Sequence, residues 1–228
     1  MTSPPPIRAG WSRTRIPVTP AMLVVDIGSG AFPNPRADIL CDRDLIDNRH
    51  RAGLEVVIDR PLVRADATQL PFGDQAIDFV IVSHLAEHID DPAAFCQELA
   101  RVAKAGYIET PSPLADYVLD EEYHLWRVGS RKGVLRFGRK PPKSPRVQRA
   151  CDAVYRVFYS AQASCHRPTW TPPGGPVGTV IRFLLTALGA TLNRIGVMHT
   201  RVSFQPGTPL RWEVEQADGS VRSGVAHP

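Results

Sequence analysis

The 228-residue chain lacks any long apolar run. Its longest, VIRFLLTALGATL, is broken by Arg182 and falls short of the roughly 20 residues that a membrane-spanning helix needs. The opening MTSPPPIRAGW has no apolar segment of the secretory kind, so a cytoplasmic protein is expected. Cysteine is scarce: Cys41, Cys96, Cys151 and Cys165 form no C-x-x-C pair and have no zinc-site spacing. That excludes a disulfide scaffold and a zinc ribbon, and reduced thiols are expected. No internal repeat is present, which excludes a solenoid. Aromatics make up only 7% of residues.

Proline, by contrast, is abundant at 22 residues, and charge is unevenly placed. Trp126 to Arg149 holds nine Lys/Arg and no acid, whereas Asp66 to Glu122 holds twelve of the 23 acids. A basic block can meet nucleic acid, phosphate or an acidic surface. No aromatic stacking pattern accompanies this one, so it reads as a solvated hairpin and helix start, and nucleic acid is not expected as a partner.

Short apolar stretches alternate with loops and one clear helix. Leu23–Ile27, the stretch ADILCD, a segment ending near Asp66, Phe79–Ser83 and AGYIETPS each read as strands apolar on both faces. Asp91 caps a helix that begins at Pro92 and carries Phe95, Leu99 and Val102 on one face. This predicts an α/β fold, a Rossmann-like and mostly parallel sheet with helices on both faces. After Pro111 the pattern changes to a hairpin around GSRKG, an amphipathic helix from Val147, a further helix near 177–196 and a late strand in PLRWEVEQ. The expected organisation is an N-terminal arm at 1–20, a core at 21–115, a cap or acceptor-binding insertion at 116–205, and a final strand with a tail at 206–228.

The most informative segment is VVDIGSG. Gly28 and Gly30 fit the first two glycines of a dinucleotide-binding turn, but Pro33 stands where the third should be. Asp26, two residues before the first glycine, would repel a pyrophosphate and welcome an ammonium group. Only eleven residues, two of them proline, separate Gly30 from Asp42. They leave little room for a helix, and an ordered loop is expected.

The ordered set VVDIGSG, LCD, RADATQLPFGDQAIDFVIVSHLAEHIDDP and ELARVAKAGYIETPSP resembles class I S-adenosylmethionine-dependent methyltransferases of the type 11 group over about residues 21–115. The resemblance implies S-adenosyl-L-methionine as cofactor. It implies that Asp26, Gly28, Ser29 and Gly30 hold the methionine part, and that Asp42 takes the ribose hydroxyls. It also implies that Asp66 and Ala67 sit beside the adenine, with Leu70 and Phe72 nearby, and that Ser83 and His84 lie at the strand exit near the methionine part. With the first helix missing, Arg8, Arg13 and Arg15 are candidates for the cofactor's carboxylate.

Methyl transfer to a hydroxyl needs alignment, exclusion of water and a base. His84, Glu109 and His124 are the candidate bases, because each leaves a strand end or opens the hairpin. Tyr123 and Trp126 are candidates for an acceptor pocket. In HLAEH, His84, Glu87 and His88 stand at i, i+3 and i+4. A related subgroup of O-methyltransferases carries E-x-x-E-H there and binds a divalent ion. Here His84 replaces the first acid, which weakens hard-cation binding, and no metal is expected. The HLWRV…VLRF hairpin resembles methyltransferases of glycans and cell-envelope sugars. That implies O-methylation of a sugar hydroxyl, in its sharpest form the 1-OH of a methylated mannoside in polysaccharide biosynthesis. A quinone- or natural-product-type small-molecule methyltransferase, and a nucleic-acid-binding protein or RNA methyltransferase, are the alternatives. The oligomeric state is left open, with a homodimer among the options.

Overall fold

The computed structural model of the chain describes residues 16–51, 53–119, 121–152, 191 and 198–228. Five short strands run parallel at its centre: β1 (Val24–Ile27), β2 (Ile39–Asp42), β3 (Leu62–Arg64), β4 (Phe79–Ser83) and β5 (Gly106–Pro111). They order as β3-β2-β1-β4-β5, so the chain changes direction between β1 and β4. In an open parallel sheet, ligands bind at the carboxyl ends of the strands beside such a reversal. β1 and the first four residues of β4 are buried throughout, which is why their sequences show no alternation.

Helix α1 (Pro92–Val102) lies on one face of this sheet. Asp91 Oδ1 accepts from the Ala93 and Ala94 amides at 3.0 and 3.1 Å, and Pro92 takes the first position, where its missing N–H costs nothing. Phe95, Cys96, Leu99 and Val102 pack into one core with Val25, Val80, Val82 and Ile108. On the other face, Ile16, Val18 and Met22 cover Val24, Phe79, Ile81 and Tyr107, so the end of the expected arm is tied to the core.

The second half differs from the expected cap. The segment His199–Phe204, placed in the sequence inside that cap, is an edge strand of the main sheet, antiparallel to β5. Its Thr200, Val202 and Phe204 alternate inward, and a Cβ on Gly106 would lie 2.4 Å from the Phe204 ring. The remaining strands form a second sheet. Helix α2 (Pro113–Leu119) leads to the hairpin β6 (Arg127–Arg131) and β7 (Val134–Gly138), which turns at Lys132–Gly133. With His199–Phe204 as β8, the chain continues into β9 (Leu210–Glu215) and β10 (Val221–Ala226). The second sheet orders as β10-β9-β7-β6.

The stretch after Gln216, expected to be a polar tail, is therefore half of a β9–β10 hairpin. Gly224 allows it, since a Cβ there would lie 2.3 Å from the Trp212 ring. Leu210, Trp212 and Val214 join the core around α1, so α1 is packed between the two sheets. Helical turns begin at Pro145 and run to Asp152. The remainder of the helix expected from Val147, the helix expected near 177–196 apart from the helical Thr191, and Arg8, Arg13, Arg15 and Cys165 lie outside the described residues.

Candidate functional site

The glycine turn after β1 is folded onto β2. Gly28 has φ 74° and Gly30 φ 52°, the left-handed region that glycine enters without steric cost. The Gly28 and Ser29 amides donate to the Cys41 carbonyl at 2.7 and 3.3 Å, and the Gly30 amide donates to Asp42 Oδ2 at 3.0 Å. All three amides are thus committed within the protein, and the turn has none to offer a phosphate. Residues 31–38 form the expected ordered loop without a helix.

Two carboxylates dominate this corner. Asp26 is buried, and its Oδ2 accepts from the Asn34 amide at 2.7 Å. Burial pushes its carboxyl up to about 7, against the Asn34 bond and the nearby Arg60 cation, which pull down. Asp42 is buried at the tip of β2, with Arg51 Nη1 3.9 Å from its Oδ1. Ser29 Oγ and Asn34 Nδ2 are sealed from water with no hydrogen-bond partner among the described residues. Buried polar atoms are seldom left so, and these two lie in the loop that holds Asp26. Asn34 was missed in the sequence; its only signal is its place between two prolines in PNP.

Asp66 is less open to a ligand. Its Oδ1 accepts from the Thr68 amide and hydroxyl at 2.8 and 2.7 Å, and its Oδ2 from Arg43 at 2.9 Å. These bonds outweigh burial and hold its carboxyl below the usual range. They close the turn that buries Ala67 and Leu70.

A second group gathers beyond β4. His84 has φ 55°, and its amide donates to the Glu109 carbonyl at 2.8 Å. Its Nδ1 is 3.4 Å from Glu87 Oε1, while Nε2 is buried with no partner among the described residues. Glu87 is fully buried, and its Oε2 accepts from the Thr110 hydroxyl at 2.8 Å. Burial alone would raise the Glu87 carboxyl, but His84, His88 and His124 outweigh it and bring it down to about 2. Burial opposes the charge on His84; Glu87 and Glu109 outweigh that and raise its pKa. Glu109 is also fully buried. Its Oε2 accepts from Tyr107 Oη at 2.6 Å and Arg201 Nε at 3.1 Å. Burial and the nearby His84 push His199 down to about 4. His124 is buried against Asp116 through Nδ1, and Arg127 stands 3.6 Å from the same carboxyl.

Of the sequence candidates, His84 and Glu109 are therefore brought together. His124 joins them only through Glu87, whose carboxylate is shared with His88. Glu109 and His124 are both deep and partnered, so neither is an exposed base. Trp126 donates from Nε1 to the Ile89 carbonyl at 2.8 Å and meets Phe137 edge-on, which makes it an anchor of the hairpin. His199 was not foreseen, because β8 was not. A cleft of about 760 Å³ opens between the two sheets beside it, lined by Arg127, Arg131, Arg136 and Arg201 together with Glu213 and Glu215.

Residues 41–108 match the model of a methyltransferase domain family. An uncharacterized methyltransferase of Mycobacterium leprae is 36% identical over 96 residues, covering 40% of this chain and 35% of the relative. One from Mycobacterium sp. (strain JLS) is 43% identical over 44 residues, 19% and 18% of the two chains. The chain thus spans about a third or less of the length of the curated relatives it matches. Among solved structures, a protein of Galdieria sulphuraria described as a sarcosine dimethylglycine methyltransferase is similar at 13% identity and TM-score 0.37, over 80% of this chain and 76% of that one. A methyltransferase-like protein of Bacillus halodurans is similar at 19% identity and TM-score 0.33, over 79% and 64%.

Proposed function

We propose that this chain is an S-adenosylmethionine-dependent methyltransferase that methylates a hydroxyl group. The observation that carries the reading is the glycine turn. Its amides are all committed internally while the buried carboxylate of Asp26 stands beside it. Such a corner disfavours a nucleotide phosphate and suits a donor that carries an ammonium and no phosphate. Asp26, Gly28, Ser29 and Gly30 hold the methionine part in this reading. Asp42 takes the ribose, Asp66 and Ala67 border the adenine, and Ser83 with His84 closes the side facing the acceptor. The methyltransferase-domain match over 41–108 supports the same assignment.

The acceptor oxygen attacks the methyl carbon, the carbon–sulfur bond breaks, and the sulfonium becomes a neutral thioether. The hydroxyl proton is lost where His84, Glu109 and His199 meet and leaves to water in the adjoining cleft. The core at 21–115 holds the donor, and the cleft between the sheets takes the acceptor. Four arginines with two carboxylates suit a polar, many-hydroxylated molecule such as a sugar better than a quinone.

Calorimetry with S-adenosylmethionine and its demethylated product tests the donor. Binding of either, with none of NAD or ATP, is expected; the reverse would overturn the reading. A labelled-methyl assay against mannosides, quinones and RNA then separates the acceptors.

A further inference from the structure

Three chain segments distant in sequence meet where β4, β5 and β8 adjoin. His84 follows β4, Glu109 lies in β5, and His199 opens β8 opposite Pro111. One ligand-type atom from each lies within 4.8 Å of the other two. We propose that His84, Glu109 and His199 bind one divalent transition-metal ion.

The surrounding contacts prepare these atoms. His84 Nε2 and Glu109 Oε1 are both sealed from water and have no hydrogen-bond partner among the described residues. A buried carboxylate oxygen and a buried imidazole nitrogen, both unpartnered and on residues whose ligand atoms gather within 4.8 Å, call for a ligand. The other polar atom of each side chain is held from behind. Glu87 Oε1 faces His84 Nδ1 at 3.4 Å, the carboxylate–histidine arrangement that orients a metal-binding imidazole. Tyr107 and Arg201 hold Glu109 Oε2, which leaves Oε1 without a bond among the described residues. The His84 amide bonds to the Glu109 carbonyl, so the backbones of two ligands are fixed to each other. A left-handed backbone at a non-glycine residue persists only where its surroundings hold it, and here it orients His84.

Two imidazoles and one carboxylate select Zn²⁺, Fe²⁺, Co²⁺ or Mn²⁺ over Ca²⁺ and Mg²⁺, which prefer oxygen ligands. Three protein ligands leave open positions. His199 also lines the cleft between the sheets, so those positions face the space where an acceptor would enter. A hydroxyl bound there loses its proton more readily.

A second group, Glu87, His88 and His124, is less suited to hold an ion. Glu87 Oε1 also has no hydrogen-bond partner among the described residues, but it lies closer to His84 Nδ1, at 3.4 Å, than to His88 Nε2, at 4.0 Å, and Glu87 Oε2 is bonded to Thr110. Of that group only Glu87 stands behind His84.

The test titrates Co²⁺ into chelator-treated full chain and follows its visible absorption, with Zn²⁺ calorimetry alongside. One ion per chain with a histidine-ligated spectrum is expected. His199→Ala and Glu109→Gln should each weaken binding about ten-fold or more, as the loss of ordering contacts alone does elsewhere. His88→Gln should bind as the unaltered chain does. Circular dichroism checks each fold, and His199→Ala at the sheet edge decides the matter if Glu109→Gln does not fold. Absence of stoichiometric binding overturns the proposal, as does undiminished binding in His199→Ala, or loss in His88→Gln alone. S-adenosylhomocysteine binding on the same samples is read independently. Its failure would sink the methyl-donor reading while leaving the metal result intact.

Discussion

Gly28 and Leu85 share one space: a Cβ built on Gly28 would lie 2.9 Å from Leu85 Cδ2. The turn after β1 therefore presses directly on the loop after β4, and His84, next to Leu85, is held beside the corner that contains Asp26. Two segments over fifty residues apart in sequence become one site by this contact.

Gly28→Ala should consequently damage both stability and donor binding. The residue has φ 74°, and the added methyl meets Leu85. Left-handed backbone for alanine and overpacking together predict a loss of about 2–4 kcal/mol. Urea unfolding of the variant measures it, and an unchanged midpoint would contradict the packing described.

Asp26 sets a pH dependence. Its carboxyl lies at about 7 in the folded protein, above the ordinary 3.8, mainly through burial. Between those values the folded chain keeps a proton that the unfolded chain has released. Stability contributed at this site is therefore whole below pH 3.8 and is lost as pH rises through 7. The loss amounts to about 4 kcal/mol as an upper figure. Asp26→Asn should gain stability relative to the unaltered protein between pH 4 and pH 8, by melting at each pH. A donor ammonium favours the charged form, so donor affinity should rise from pH 6 to pH 8 and become flat in Asp26→Asn.

Asp42→Ala removes the acceptor for the Gly30 amide and, through Oδ1, for the Asp44 amide at 3.0 Å. Each lost bond to a charged acceptor costs about 1.5–3 kcal/mol. The glycine turn should loosen, and calorimetry should register donor affinity reduced at least about ten-fold. Retention of full affinity would remove Asp42 from the proposed site.

Thr110→Val keeps the shape of a fully buried side chain and deletes the donor to Glu87 Oε2. A buried carboxylate then loses a partner, at about 1–3 kcal/mol by chemical denaturation. No change would mean that the His84–Glu87 cluster does not depend on this bond.

Gly224→Ala serves as a contrast, since its Cβ would strike Trp212 at 2.3 Å. It should destabilise by about 1–3 kcal/mol while sparing donor affinity, because the β9–β10 hairpin lies away from the glycine turn.

Much of the parallel core was legible. β1 and β4 are apolar on both faces because both faces are covered, and Asp91–Pro92 marks a helix start through local hydrogen bonding alone. The proline-rich interval 31–38 foretold a loop through the geometry of proline itself. β8 and β10 were not legible. They are edge strands with one covered face, and much of their sequence, such as Arg222 and Ser223, is solvated. Their assignment depends on what they pair with.

The chain sequence by itself determined the parallel strands, the glycine turn with its two carboxylates, and the capped helix, because each depends on covalent geometry or on neighbours within a few residues. Only the tertiary structure decided that His199 lies beside His84 and Glu109, that Asp66 is already engaged by Thr68 and Arg43, and that the hairpin and the final strands form a second sheet over α1. Those outcomes depend on which segments bury each other's surfaces. That is a property of the whole packed chain, and no local stretch encodes it.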